Sequence, residues 1–193
     1  GWKGATVPPR MSYKQVQALL DSCDRTTVRG LRDFAMLILL ARLGLRAAEV
    51  AGLRLEDLRW RDGEVVVRGK SRRTDRLPLP ADVGDAVVQY LRKGRPVTEA
   101  RTVFVTLVAP RRPLHPAAVS QTVQRQCRRA GLPPVRAHAL RHALATNLLE
   151  RGVYLPQISQ LLRHADLATT SVYAKVDYPA LRELAPAWTG SRP

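Results

Sequence analysis

The stretch Val28–Leu43 constrains the fold of this chain more than any other segment. Leu31, Phe34, Ala35, Leu37, Ile38 and Leu39 crowd most of the circumference of a helix, where a surface helix would show one apolar stripe. A helix apolar nearly all round has no face to offer water. It belongs at the centre of a core, with other elements packed about it. Gly44 follows at once and is the expected C′ stop, because glycine enters the left-handed region without steric penalty. At 193 residues the chain can bury such a core in one domain without disulfides.

The flanking pattern fills in the layers. Residues 1–11, with Pro8-Pro9-Arg10, read as a tail or linker, and residues 12–193 as one domain. Ser12 is an N-cap, with Gln15 completing a capping box ahead of Val16, Leu19 and Leu20. A short helix is expected from Ala47. The period then changes: Asp62-Gly63 followed by Val65-Val66-Val67 signals a hairpin. Arg76-Leu77-Pro78-Leu79-Pro80 reads as a third strand at an edge, where proline is tolerated. Helices return at about 82–93, 116–130, 139–151, 155–162 and 169–174, with a short one near Pro179, and 102–106 reads as an isolated strand. The class is α+β, mainly α-helical, with a small antiparallel sheet inserted after the first helices.

Thirty-two Lys and Arg against sixteen Asp and Glu leave a formal charge of +16. That excess says little about fold but predicts attraction to a polyanion: nucleic acid, an anionic membrane or a ribosomal partner. No run is long enough to span a membrane, and no stretch at the start reads as a signal peptide. The basic residues are scattered through folded segments, unlike the compact tract of a lipid anchor. Nucleic acid is the favoured partner. Cys23 and Cys127 lie far apart with no pair spacing, which fits a reducing cytoplasm and packed thiols. A start at Gly1-Trp2 reads as a fragment of something longer.

Four segments carry chemistry. In Gly44-Leu45-Arg46-Ala47-Ala48-Glu49, Glu49 sits three residues after Arg46 and can orient a guanidinium, although the same spacing suits an ordinary surface ion pair. Gly69-Lys70 at the end of a strand, followed by Arg72 and Arg73, is either a solvated turn or a finger that reaches phosphate. In His138-Ala139-Leu140-Arg141-His142, the first histidine and the arginine share a helix face as donors toward one anion. His138 and His142 also have the spacing of metal ligands, with His164 as a third. The zinc-protease pattern, however, needs Glu where Ala139 stands. The fourth segment runs from Leu161 through His164 to Tyr173. Its alternative is a polar loop with a half-buried tyrosine.

In this order and with these gaps, the segments resemble the tyrosine recombinase, or phage integrase, family over about residues 12–188. The resemblance rests on Gly-Leu-Arg-x-x-Glu, the hairpin lysine, His-x-x-Arg, and Leu-x-His followed nine residues later by Tyr. It implies that 12–193 is the catalytic domain of a site-specific recombinase gripping duplex DNA, with Arg46, Lys70, His138, Arg141, His164 and Tyr173 as its catalytic set. Glu49 and His142 would support them, and Arg72, Arg73, Arg111 and Arg112 would position the DNA backbone or simply face solvent. Arg46 and Arg141 would clamp the scissile phosphate, because guanidinium forks match its oxygens. Lys70 would protonate the leaving 5′ oxygen, and Tyr173 would form the covalent intermediate. Neither a metal nor a cofactor is required. The family implies a homotetramer on DNA, a monomer when isolated, and a place on the nucleoid in the cytoplasm. The stripe Leu181, Leu184, Ala185 and Trp188 would dock on a neighbouring protomer, or pack back on its own domain.

Two features depart from the family. Arg163 stands where the family usually has glycine before the histidine. If that position is left-handed, an arginine there costs on the order of 1 kcal/mol, so a different local path is expected. The family's N-terminal helical clamp has no counterpart in this sequence. Type IB topoisomerases use a similar residue set, and a non-catalytic DNA-binding regulator is a rival of another class.

Affinity for non-specific duplex DNA should fall by about 0.9 log units per log unit of salt for each phosphate neutralised. A filter-binding series in salt measures the slope, and a slope near zero would remove nucleic acid as the main partner.

Overall fold

The computed structural model describes residues 11–69 and 74–163. The elements follow as α1 (Tyr13–Asp21), α2 (Val28–Leu43), α3 (Ala47–Gly52), β1 (Leu58–Arg59), β2 (Glu64–Arg68), β3 (Thr74–Pro78), α4 (Ala81–Gln89), α5 (Pro116–Arg129), α6 (His138–Glu150) and α7 (Leu155–Leu162). A 3₁₀ turn at Leu55–Asp57 leads into β1, and a π turn at Tyr90–Gly94 prolongs α4.

The central helix is where its all-round apolarity places it. Every residue of α2 from Ala35 to Ala41 is buried, and the helix packs against α1, α3, α4, α5 and α6. It begins on Thr27, whose hydroxyl accepts the Gly30 N–H at 3.0 Å. Gly30 has no room for a side chain, since a Cβ there would lie 1.8 Å from the Asp24 carbonyl oxygen. The helix ends on Gly44 at φ 59°, in the left-handed region. α1 starts with the expected capping box: the Ser12 hydroxyl accepts the Gln15 N–H at 3.2 Å, and the Gln15 side chain accepts the Ser12 N–H at 2.8 Å.

A carboxylate lies inside this core, which no local pattern of the sequence announces. Asp33 of α2 is fully buried and accepts from Arg125 Nη2 at 2.6 Å and Gln126 Nε2 at 2.9 Å, both on α5. Arg32 Nη2 adds a longer contact at 3.3 Å. An unpaired charge at such depth would cost several kcal/mol, so this cluster locks the α2–α5 register as well as satisfying the carboxylate.

The sheet is antiparallel in the order β1-β2-β3, with Glu64 opposite Arg59 and Val66 opposite Arg76. Val65, Val66 and Val67 are buried, and proline closes the outer strand as expected of an edge. The isolated strand expected at 102–106 is absent: only single bridges form, Arg54 to Thr102 and Val105 to Pro113. The reason is local. The Arg95 guanidinium occupies the carbonyls of Ala100, Thr102 and Val103 at 2.6–3.1 Å, doing the work of a neighbouring strand. Phe104 is held instead by stacking on Tyr90, with ring centroids 5.3 Å apart.

Met11, assigned from sequence to the tail, is buried in the core. The helices expected at 169–174 and near Pro179, the stripe from Leu181 to Trp188, and residues 1–10 lie outside the described residues. Among the described residues no helix is long and apolar enough to cross a membrane.

Candidate active site

Three elements meet where α2 ends. Gly44 turns the chain, Arg46 stands as the residue before α3, and the first turn of α3 carries Glu49. α6 brings Arg141 across from the other side, and α7 finishes against both at Leu162 and Arg163. Gly44 is required for more than its φ: a Cβ there would fall 2.5 Å from Leu162 Cδ2 and 3.2 Å from Leu144 Cδ2.

Glu49 is the hub. Its Oε1 accepts from Arg46 Nη1 at 3.0 Å, and its Oε2 accepts both the Arg46 backbone N–H and Arg163 Nη2 at 2.8 Å. The carboxylate side chain is 4% exposed, whereas that of Arg46 is 39% exposed and marks the open side of the cluster. What sequence left open as a surface ion pair is therefore a largely buried one, charge-assisted and shared between two arginines.

Arg141 lies on α6 and is buried to 2% exposure. Its Nη1 donates to the Gly44 carbonyl at 2.5 Å and its Nη2 to the Leu162 carbonyl, so one guanidinium pins the ends of α2 and α7 together. Burial, reinforced by the charges of Arg46 and Arg163 and opposed by Glu49, pulls its pKa from the usual guanidinium range down to about 10. It stays charged at neutral pH. The folded value lies below the unfolded one, so burial of this charge costs stability throughout the range below about pH 10 and is relieved only above it. The fold thus carries a cation whose burial costs stability, a feature that functional sites share with structural ion-pair networks.

His138 opens α6 one turn before Arg141 and is exposed. His142 is also exposed and meets His138 edge to face, with centroids 4.3 Å apart. No group of three His, Cys, Asp or Glu among the described residues is arranged to hold a metal ion. Arg111 and Arg112 are exposed on the loop before α5. Lys70, Arg72, Arg73, His164 and Tyr173 lie outside the described residues. Of the predicted site residues that are described, Arg46, Glu49 and Arg141 come together although nearly a hundred residues separate the first two from the third.

Arg163 was singled out in the sequence only as a departure, and the different path expected for it is not taken. The backbone remains left-handed at φ 55°, ψ 46°, and the arginine accepts the strain. Its ion pair with Glu49 is the compensating contact. The signal available in the sequence was a cation kept where glycine is conformationally preferred.

Residues 9–179 match the phage integrase family. The chain is 43% identical over 192 residues to protein y4rA of Sinorhizobium fredii, across 98% of this chain and 47% of y4rA. It is 37% identical over 182 residues to tyrosine recombinase XerD of Ralstonia nicotianae, across 92% of this chain and 59% of that protein. It therefore spans about half the length of these curated relatives. The crystal structure of XerA recombinase superposes with a TM-score of 0.74 at 25% identity, covering 95% of this chain and 65% of that one. The structure of a lambda integrase tetramer bound to a Holliday junction superposes at 0.64 and 17% identity, covering 90% and 52%, a likeness of fold.

Gly44→Ala should destabilise the protein by about 1–3 kcal/mol, from left-handed strain together with displacement of Leu162. Gly52→Ala, where a Cβ meets nothing within 4 Å, should be neutral or slightly stabilising. Urea unfolding of the two variants measures the contrast, and equal midpoints would show that Gly44 is not a fixed corner of the site.

Proposed function

Because the chain belongs to the phage integrase family and is a tyrosine recombinase catalytic domain, we propose that it cuts and rejoins duplex DNA at specific sites through a 3′-phosphotyrosyl link to Tyr173. The observation that supports this reading is the convergence of Arg46, held by the buried Glu49 carboxylate, and Arg141, held by the Gly44 carbonyl, since a phosphodiester in its transition state needs fixed cationic donors.

In this reading Arg46 and Arg141 clamp the non-bridging oxygens of the scissile phosphate. His138, exposed at the head of α6, takes the phenolic proton, with His142 against its ring and His164 adding a further hydrogen bond. Tyr173 attacks phosphorus and the bond to the 5′ oxygen breaks, Lys70 protonating that oxygen as it leaves. The free 5′ hydroxyl of a partner strand later attacks the phosphotyrosine and returns the proton, so one hard step becomes two easier ones. The phosphotyrosyl bond conserves the energy of the linkage, and neither nucleotide, metal nor other cofactor enters the scheme. Arg72, Arg73, Arg111 and Arg112 hold the flanking backbone. Residues 12–193 act as the catalytic unit, joining a homotetramer on the nucleoid in the cytoplasm.

Tyr173→Phe should keep its fold and DNA affinity, because it loses one oxygen and keeps the ring. Covalent capture of a nicked duplex carrying the native site should disappear, while Tyr178→Phe still forms adducts. A denaturing gel with end-labelled DNA, followed by peptide mapping, reads the outcome. An adduct on another tyrosine, or an undiminished adduct from Tyr173→Phe, would overturn the assignment.

A further inference from the structure

Arg163 is the one non-glycine residue at positive φ among the described residues, and strain of this kind persists where the surroundings demand the side chain. Its side chain is 5% exposed. Nη2 is engaged by Glu49, but Nε and Nη1 are buried with no hydrogen-bond partner among the described residues. Buried donors of a charged group left without acceptors are costly; Arg32 and Arg125 each leave a single buried Nε unpaired, whereas Arg163 leaves both Nε and Nη1.

The residue is also built into the phosphate cluster. Its carbonyl accepts from Arg46 Nη2 at 3.4 Å, and the preceding carbonyl, of Leu162, accepts from Arg141. Glu49 pairs with two of the three guanidiniums, Arg46 and Arg163, while Arg141 is held by backbone carbonyls, so the cluster carries an excess of positive charge. Unused N–H donors beside uncompensated cations call for a tetrahedral oxyanion, whose several oxygens can accept from more than one fork.

We infer that Arg163 is a third phosphate-contacting arginine, whose Nε and Nη1 donate to a non-bridging oxygen of the phosphodiester gripped by Arg46 and Arg141. This rests on the reading of the cluster as a DNA phosphate site. Glu49 then has two tasks, holding Arg46 on the open side and Arg163 on the closed side of one anion.

The test uses the whole chain with inorganic phosphate as probe, followed through the ¹⁵N resonances of the arginine Nε–H groups. Phosphate should shift the Arg163 resonance together with those of Arg46 and Arg141. Arg163→Gly, which suits the left-handed backbone, should weaken phosphate binding about tenfold, and Arg163→Lys should restore only part, having charge but no fork. In a second arm, Arg163→Gly should slow adduct formation on a nicked duplex about tenfold. A neutral methylphosphonate at the scissile position should narrow that gap, a response that a merely structural role would not give. An Arg163 resonance indifferent to phosphate, or unchanged phosphate affinity in Arg163→Gly, overturns the inference. Weakened phosphate binding together with no adduct even from the wild type leaves the Arg163 contact standing and removes the recombinase reading.

Discussion

Like charges gather at the corner between α2 and α3 because the Glu49 carboxylate lies among them. Arg46, Arg141 and Arg163 come from three different elements, and their mutual repulsion in a largely buried setting would otherwise open the site. Glu49 reaches back from the first turn of α3 to the backbone N–H and the guanidinium of Arg46, fixing the residue before the helix and the cation in one contact. The same carboxylate receives Arg163. One anion therefore sets the position of two cations, and the third is fixed by carbonyls at helix ends.

The rest of the fold brings those helix ends together. α2 is buried continuously from Ala35 to Ala41 and again at Leu43, so its C-terminus cannot move without disturbing the core, and Gly44 converts that fixed point into a turn toward Arg46. The Gly44 carbonyl, released from the helix ladder, becomes an acceptor for Arg141. α7 ends on a left-handed residue and offers the Leu162 carbonyl to the same guanidinium. Some distance away, Asp33 secures α2 to α5 by a comparable device, a buried carboxylate between arginines. Stability and site assembly use the same chemistry: buried acids that hold arginines which would otherwise repel or stray.

Much of this was legible in the sequence because it follows from local rules. The apolar circumference of α2, the Ser12 capping box, the Gly44 stop and the Asp62-Gly63 hairpin are each written in a few adjacent residues, and each forms as expected. The identities of Arg46 and Arg141 were legible from motif order. Asp33 was not, because a lone aspartate in an apolar helix acquires its meaning from Arg125 and Gln126 far along the chain. Nor was the irregular course of 102–106, where a side chain substitutes for a strand. Glu49 could be read as a partner of Arg46, but its second partner depends on the arrival of α7. The strain at Arg163 was legible as a cost, while its compensation lies in tertiary contacts.

Assembly of the phosphate site around Glu49, which holds two of its three arginines, is tested most directly by the stability of Glu49→Gln with and without phosphate. The substitution keeps the shape while removing the charge and turning one of the two acceptor oxygens into an NH2 donor. Urea unfolding at matched ionic strength should show a loss of about 3 kcal/mol, as for a buried pair that loses one partner. Inorganic phosphate should recover much of that loss by supplying the missing anion, and should stabilise the wild type far less. A variant as stable as the wild type, with no response to phosphate, would contradict the account.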